Sequence, residues 1–176
     1  MYHRIHIFGA SGSGATTLGQ ELSRQLPHVL MDGDDYFWIE KYTRPREPKK
    51  RLELLKEDLS RSPQWILTGA VCGWGDELRS AFDLIVFLYV PEDVRLMRLR
   101  KREYERYGDQ ILPGGSLHAK SREFLEWASR YDTAGSEVRS RVLHEEWMAH
   151  AACPILRIEG EQTVHERAEM ILGALH

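Results

Sequence analysis

A glycine-rich segment near the start of the chain constrains the fold more than any other part of the sequence. Ile5 and Ile7 belong to a short apolar run that predicts a buried strand, and the turn Gly9–Gly14 follows it. Leu18 and Leu22 are then spaced as on the buried face of a helix. A strand, a glycine turn and a helix in this order let backbone N–H groups converge on an anion beside the positive end of the helix dipole. The segment therefore predicts a phosphate-binding loop.

The loop fits the Walker A pattern, G-x-x-x-x-G-K-S/T, at every fixed position except one. Gly9, Gly14 and Thr16 fit, whereas Ala15 stands where the pattern has lysine. That lysine normally reaches the β- and γ-phosphates of the nucleotide, so the sequence predicts a phosphate site that lacks one of its usual cations. The alternative interpretation is an ordinary glycine turn between a strand and a helix.

A dinucleotide-binding loop is a second interpretation of the same glycines. Asp32 and Asp34 lie about twenty residues after the loop, where a ribose-binding acid is expected. The G-x-G-x-x-G spacing fails, however, because Thr17 replaces the third glycine when the count begins at Gly12. The chain also contains no Tyr-x-x-x-Lys pair for reductase chemistry. We therefore favour the phosphate-binding loop.

Composition and charge describe a single soluble domain. The 176 residues are 42% apolar and 29% charged, and the net charge of -3 does not indicate nucleic-acid binding. The longest apolar run, Leu84–Val90, is too short to span a bilayer. Cys72 and Cys153 have no metal-binding spacing, which is typical of a reducing compartment. We expect a cytoplasmic monomer or weak dimer with neither a nucleic-acid nor a membrane partner.

Three aspartates follow the second predicted strand, Val29–Met31. They are Asp32, Asp34 and Asp35, in the sequence Asp-Gly-Asp-Asp. Open α/β sheets bind their ligands at the carboxyl ends of the strands, so the position favours a functional site. A turn built from aspartate and glycine is the alternative.

The alternation of strands and helices predicts an α/β fold with a five-stranded, mostly parallel sheet and helices on both faces. The later strands are predicted at residues 65–67, 84–90 and 154–158, and the segment 41–50 is predicted to be a mobile loop. The later helices are predicted at Lys49–Arg61, 117–131, Ser136–His150 and Thr163–Leu175. We expect one domain, residues 1–176, with a lid and helical insertion at about 103–150. Phe124, Trp127 and Trp147 are expected to pack rather than to bind a ligand.

The helix after the strand at 84–90 carries a row of arginines. Arg95, Arg98, Arg102 and Arg106 are spaced by three, four and four residues, so they are predicted to point the same way. A solvated basic face is the usual meaning of such a row. We favour a functional role, because a phosphate-binding site that lacks its loop lysine needs cations from elsewhere.

In layout and in its glycine loop, the chain resembles the P-loop small-molecule and nucleoside monophosphate kinases, such as adenylate, shikimate and gluconate kinases. It is also similar to bacterial proteins with a Thr-Thr loop that are described as adenylate-kinase-like or AAA-family ATPases. The resemblance implies a three-layer P-loop NTPase fold with a helical lid. It further implies that ATP or ADP and Mg²⁺ bind at the loop.

The resemblance also implies roles for individual residues. Thr16 and Asp32 would support the metal, and Asp34, or alternatively Asp35, would be the base that faces the acceptor hydroxyl. Arg98 and Arg102 match the Arg-Leu-x-x-Arg that opens the lid in adenylate kinases. The residues implied to bind the nucleotide are Gly9, Ala10, Ser11, Gly12, Ser13, Gly14, Ala15, Thr16, Thr17, Arg98 and Arg102.

Three functions follow from this reasoning. The first is an ATP- and Mg²⁺-dependent phosphotransferase that acts on a small hydroxylated or phosphorylated acceptor. The second is a nucleotide-binding regulator, a pseudo-kinase without transferase activity, because Ala15 replaces the loop lysine. A polynucleotide 5′-kinase is a distant third, because no broad basic and aromatic surface is evident.

Overall fold

The computed structural model describes residues 2–175. The strands are β1 (Arg4–Gly9), β2 (Val29–Asp32), β3 (Trp38–Glu40), β4 (Arg44–Pro45), β5 (Trp65–Thr68), β6 (Leu84–Tyr89) and β7 (Ile155–Glu159). The α-helices are α1 (Ala15–Gln25), α2 (Gly33–Phe37), α3 (Pro48–Ser60), α4 (Glu92–Tyr107), α5 (His118–Ser129), α6 (Arg141–Ala149) and α7 (Val164–Ala174). Short 3-10 helices cover Asp76–Ala81 and Gly108–Ile111.

Five strands form one parallel sheet in the order β2-β5-β1-β6-β7. This confirms the predicted five-stranded parallel sheet. Strand β1 is central, and the chain leaves it toward β2 on one side and returns to β6 on the other. The loop after β1 therefore lies at the point where the strand order reverses, which is where open α/β sheets bind ligands.

Two hydrophobic cores, one on each face of the sheet, hold the helices in place. Successive residues of a strand point to opposite faces, so Phe8 packs with Phe87 and Trp147 in one core, while Ile7 packs with Leu18 in the other. The prediction of helices on both faces is thus confirmed. The expected packing role of Trp147 is also confirmed, because this side chain is buried in the first core.

Two local predictions were wrong. The segment 41–50, predicted to be a loop, contains β4, which pairs with β3 in an antiparallel hairpin. The helix predicted to start at Ser136 begins only at Arg141, because the Ser140 hydroxyl accepts a hydrogen bond from the Leu143 N–H at 3.1 Å and caps the helix there. Within residues 2–175, no helix is long and apolar enough to cross a bilayer.

A histidine occupies the centre of the first core. His6 is fully buried and stacks between Phe8 and Phe82, with ring centroids 4.9 and 4.7 Å away. Its Nδ1 atom lies 3.1 Å from the carbonyl oxygen of Leu67. Burial lowers the pKa of His6 to about 4, although the contact with Leu67 acts in the opposite direction. Burial likewise lowers the pKa of His144 to about 3.

We expect these histidines to make the fold sensitive to acid. In the unfolded chain these histidines have the ordinary pKa of about 6.5. Below that pH the unfolded chain binds protons that the folded chain does not bind. Stability is therefore complete above about pH 6.5 and is lost as the pH falls toward 4, by about 3 kcal/mol for His6. Urea unfolding of wild type and His6→Phe at about pH 7 and pH 5 tests this expectation, with exposed His150→Gln as the control. An equally steep acid loss in His6→Phe would contradict it.

Candidate functional site

The loop between β1 and α1 is built to receive an anion. Gly12 and Gly14 have φ values of 83° and 92°, a left-handed conformation that other residues rarely adopt. No side chain caps the N-terminus of α1, so its first N–H groups remain available to a ligand. This geometry is what the glycine pattern predicts.

A cavity of about 280 Å³ opens over this loop, and we call it the loop cavity. It brings together nearly all of the residues that the sequence predicted for the site. Its lining consists of Gly9, Ala10, Ser11, Gly12, Ser13, Gly14, Ala15, Thr16, Thr17, Asp32, Gly33, Asp34, Phe37, Gly69, Ala70, Arg98, Leu99, Arg102 and Arg139. Asp35 is not among them.

Thr16 and Asp32 form a pair of oxygen donors at the base of the cavity. The Thr16 hydroxyl donates to the Asp32 carboxylate at 3.2 Å, and the other carboxylate oxygen accepts from the backbone N–H of Asp34 at 3.0 Å. Burial, and next the negative charges of Asp34 and Asp35, raise the pKa of Asp32. A cation near this pair would relieve that cost.

The other two aspartates have different surroundings. Asp34 lies on α2 at the wall of the loop cavity, and its carboxylate has no hydrogen-bond partner among residues 2–175. Asp35 points away from the cavity, is exposed, and pairs with Lys41 at 3.3 Å. The structure therefore offers Asp34 as the carboxylate that could face a substrate, and it does not bring Asp35 to the site.

The four arginines of α4 do not share one environment, so the prediction that they act as one row was wrong. Arg95 is fully buried, and its guanidinium pairs with Asp132 at 2.5 Å. Arg106 stacks on the ring of Tyr42 at 3.8 Å. Helix α4 starts against the packed interior and ends at the surface. Arginine side chains that point the same way from this helix therefore have different neighbours along its length.

The two central arginines of this helix do reach the loop cavity. Arg98 donates to the carbonyl oxygen of Gly12 at 3.2 Å, which places its charge against the glycine loop. Arg102 is exposed, and it has no carboxylate within 4 Å among the described residues. Arg98 is thus fixed beside the loop, whereas Arg102 is free to reach a ligand.

Two arginines at the glycine loop were not predicted from the sequence. Arg167 on α7 donates to the carbonyl oxygens of Ser13 at 2.8 Å and Gly160 at 2.9 Å, and it is 3% exposed. Burial, and next the charge of Arg98, lower its pKa. Arg139, in the connection before α6, lines the loop cavity. No local motif marks either residue.

A second cavity of about 470 Å³ adjoins the first, and we call it the aromatic cavity. It shares Ser11, Asp34, Phe37, Arg102 and Arg139 with the loop cavity. Phe124 and Trp127, which were expected to pack, instead line this cavity and are only partly buried. Two adjoining cavities with a shared wall could place two reactants in contact.

Comparison with known proteins identifies a family and a similar protein. Residues 5–126 match the family described as an AAA domain. The uncharacterised protein YqaC of Bacillus subtilis (strain 168) is 55% identical over 175 residues, which is 99% of this chain and 98% of the relative.

Solved structures of similar fold include two shikimate kinases and a gluconokinase. The shikimate kinase from Bacteroides thetaiotaomicron has a TM-score of 0.63 at 21% identity, covering 99% of both chains. The one from Acinetobacter baumannii, in complex with shikimate, has a TM-score of 0.57 at 20% identity, covering 98% of this chain and 92% of the other. The gluconokinase from Sinorhizobium meliloti has a TM-score of 0.54 at 21% identity, covering 98% and 91%. These likenesses confirm the predicted P-loop kinase fold.

Proposed function

The chain belongs to the AAA domain family, and from that membership and the loop cavity we propose that it transfers the terminal phosphoryl group of ATP to a hydroxyl of a small acceptor. One observation carries the proposal: the glycine loop, the Thr16–Asp32 pair, Asp34 and the arginines line a single cavity. Phosphoryl transfer needs mainly positioning and neutralisation of charge, and these residues are suited to supply both.

Magnesium fits the donors that are present. Mg²⁺ usually takes one or two protein oxygen ligands and completes its shell with water and phosphate oxygens. Thr16 and Asp32 supply such a pair. When bound, the ion would neutralise charge on the phosphates. We assign its support to these two residues.

The protein side chains would perform the transfer as follows. The acceptor oxygen attacks the γ-phosphorus while the Asp34 carboxylate accepts its proton, and a new phosphorus–oxygen bond forms. The bond to the β,γ-bridging oxygen breaks, and ADP leaves with the electron pair. Loop N–H groups and Arg98 hold the phosphates, and Arg102 and Arg139 stabilise charge on the transferred group.

A second candidate, a nucleotide-binding regulator without transferase activity, is favoured by Ala15. The two candidates differ in the reason for the missing lysine. In the enzyme, Arg98 and Arg167 place positive charge against the loop carbonyls of Gly12 and Ser13. In the regulator, the same two arginines only hold the loop in place and stabilise no transition state.

Ala15→Lys separates these two candidates. We expect little gain in ATP turnover, because the added ammonium would crowd a loop that already has guanidinium groups beside Gly12 and Ser13. Turnover is measured as ADP release, with and without a panel of hydroxylated acceptors, and Ala15→Gln is the uncharged control. A rise in ATP turnover of about a hundredfold in Ala15→Lys, without such a rise in Ala15→Gln, would favour the regulator that has lost its transferase activity.

A further inference from the structure

The aromatic cavity has walls unlike those of the loop cavity. Most of its lining is apolar, and six of its residues are aromatic. They are Phe37, Trp38, Tyr42, Tyr107, Phe124 and Trp127. Its volume of about 470 Å³ lies within the usual range for a site that binds a small molecule.

The aromatic side chains come from two parts of the chain. Around the β3–β4 hairpin, the ring of Trp38 lies 4.8 Å from that of Phe37 and 6.1 Å from that of Tyr42. On α5, the rings of Phe124 and Trp127 lie 6.0 Å apart and are nearly parallel, at 24°. Flat rings arranged in this way favour contact with another flat ring.

Core packing explains Phe37, which packs against the first core, but it does not explain the other five aromatic residues. Trp38, Tyr42, Tyr107, Phe124 and Trp127 are only partly buried, and none belongs to either hydrophobic core. Each therefore keeps apolar surface accessible in a concave site. Apolar surface held open in a cleft is typical of a ligand site.

The unpaired charges of the cavity are mainly positive. Lys120 and Arg139 line it, and neither has a carboxylate within 4 Å among residues 2–175. Arg106 is already engaged, because it stacks on Tyr42 and lies 3.8 Å from Glu103. A ligand that brings one anionic group would meet the ammonium of Lys120 with no competing carboxylate, whereas the Arg139 guanidinium lies 5.7 Å from the Trp127 ring.

We propose that this cavity binds the phosphoryl acceptor, and that the acceptor is an aromatic acid: a flat ring system that carries an anionic group and a hydroxyl. The proposal rests on the proposed function, since the hydroxyl must reach Asp34 on the shared wall. The ring lies between the hairpin and α5, and Lys120 holds the acid, while Arg102 and Arg139 remain with the transferred phosphoryl group. A polyhydroxylated sugar acid is disfavoured, because most of the accessible surface of this cavity is apolar and several hydroxyls would lose water against it.

Binding of matched probes tests the proposal without any need for turnover. The aromatic acids are para-(hydroxymethyl)benzoate and a hydroxymethyl naphthoate, and the comparators are the saturated para-(hydroxymethyl)cyclohexanecarboxylate and shikimate. Affinities are measured by ligand-observed NMR, with and without saturating ADP and Mg²⁺. We expect the aromatic acids to bind about tenfold more tightly than the comparators. Equal affinities, or no binding of either aromatic acid, would overturn the proposal.

Variants of the wall locate the binding. We expect Trp127→Leu to weaken the aromatic acids about tenfold and Trp127→Phe to restore most of the affinity. Lys120→Met should weaken the acids about tenfold but leave neutral benzyl alcohol unchanged. Tyr104→Leu, an exposed aromatic on α4 outside the cavity, is the matched control and should bind like wild type. Wild-type affinity in Trp127→Leu, confirmed as folded by thermal melting, would overturn the proposal.

The design separates this proposal from the proposed function. ADP titration reports on the loop cavity, whereas the aromatic acids report on the adjoining one. Absence of ADP binding with aromatic acids still bound would reject phosphoryl transfer and retain the aromatic-acid site. ADP binding with no preference for aromatic acids would reject this acceptor class and retain the kinase.

Discussion

Asp34→Asn is expected to lower the rate of phosphoryl transfer about a hundred- to ten-thousand-fold while ADP affinity changes little. Asp34 lies on the wall shared by the two cavities, and its carboxylate has no partner among residues 2–175. The amide keeps the shape of the side chain but cannot accept the acceptor's proton. The measurement is ADP release with a saturating acceptor, together with ADP titration of the same variant.

Asp35→Asn is the matched control, because Asp35 is the next residue on the same helix but pairs with Lys41 outside the cavities. Its transfer rate should match that of wild type. If Asp35→Asn loses the rate and Asp34→Asn retains it, the base has been assigned to the wrong carboxylate. If Asp34→Asn instead loses ADP affinity, the role of Asp34 is support of the metal.

Arg98→Ala is expected to lower the transfer rate about a hundred- to a thousand-fold, which corresponds to about 3–4 kcal/mol of transition-state stabilisation. Arg98 lies against the Gly12 carbonyl in the loop cavity, and Ala15 leaves the loop with no lysine to share the charge. The loss should appear mainly in kcat, since the loop N–H groups still bind ADP.

Arg100→Ala serves as the control for Arg98→Ala, because Arg100 is an exposed arginine on another face of α4. It removes the same charge from the same helix and should leave the rate nearly unchanged. Equal losses in the two variants would indicate a general effect of net charge. A mild effect of Arg98→Ala would show that the arginine does not replace the lysine.

The features encoded by local sequence could be predicted. The glycine loop depends on a short pattern of glycines, which can adopt the left-handed backbone conformation. The proximity of Thr16 and Asp32 can be predicted because the two parallel strands that precede them end at the same edge of the sheet. The five-stranded sheet follows from the alternation of apolar runs with helical periodicity. In each case the information lies within about ten residues or in the order of the elements.

Features that depend on long-range packing could not be predicted. Arg167 is 154 residues from Ser13, and it reaches the loop only because α7 packs beside α1. Arg139 lies in an irregular segment just before α6. This segment was predicted to be helical, but Ser140 caps the helix and α6 begins only at Arg141. Helical spacing predicted that Arg95 and Arg106 lie on the same face of the helix as Arg98. Spacing predicts the direction of a side chain but not its neighbours, which are Asp132 for Arg95 and Tyr42 for Arg106.

Isothermal titration of the wild-type protein with ADP, at several magnesium concentrations, tests the central claim most directly. The glycine loop donates through backbone N–H groups, which do not depend on the side chain at position 15. We therefore predict binding with a micromolar to millimolar Kd that tightens as magnesium increases. No heat and no thermal stabilisation at millimolar ADP would contradict the account of the loop as a nucleotide site.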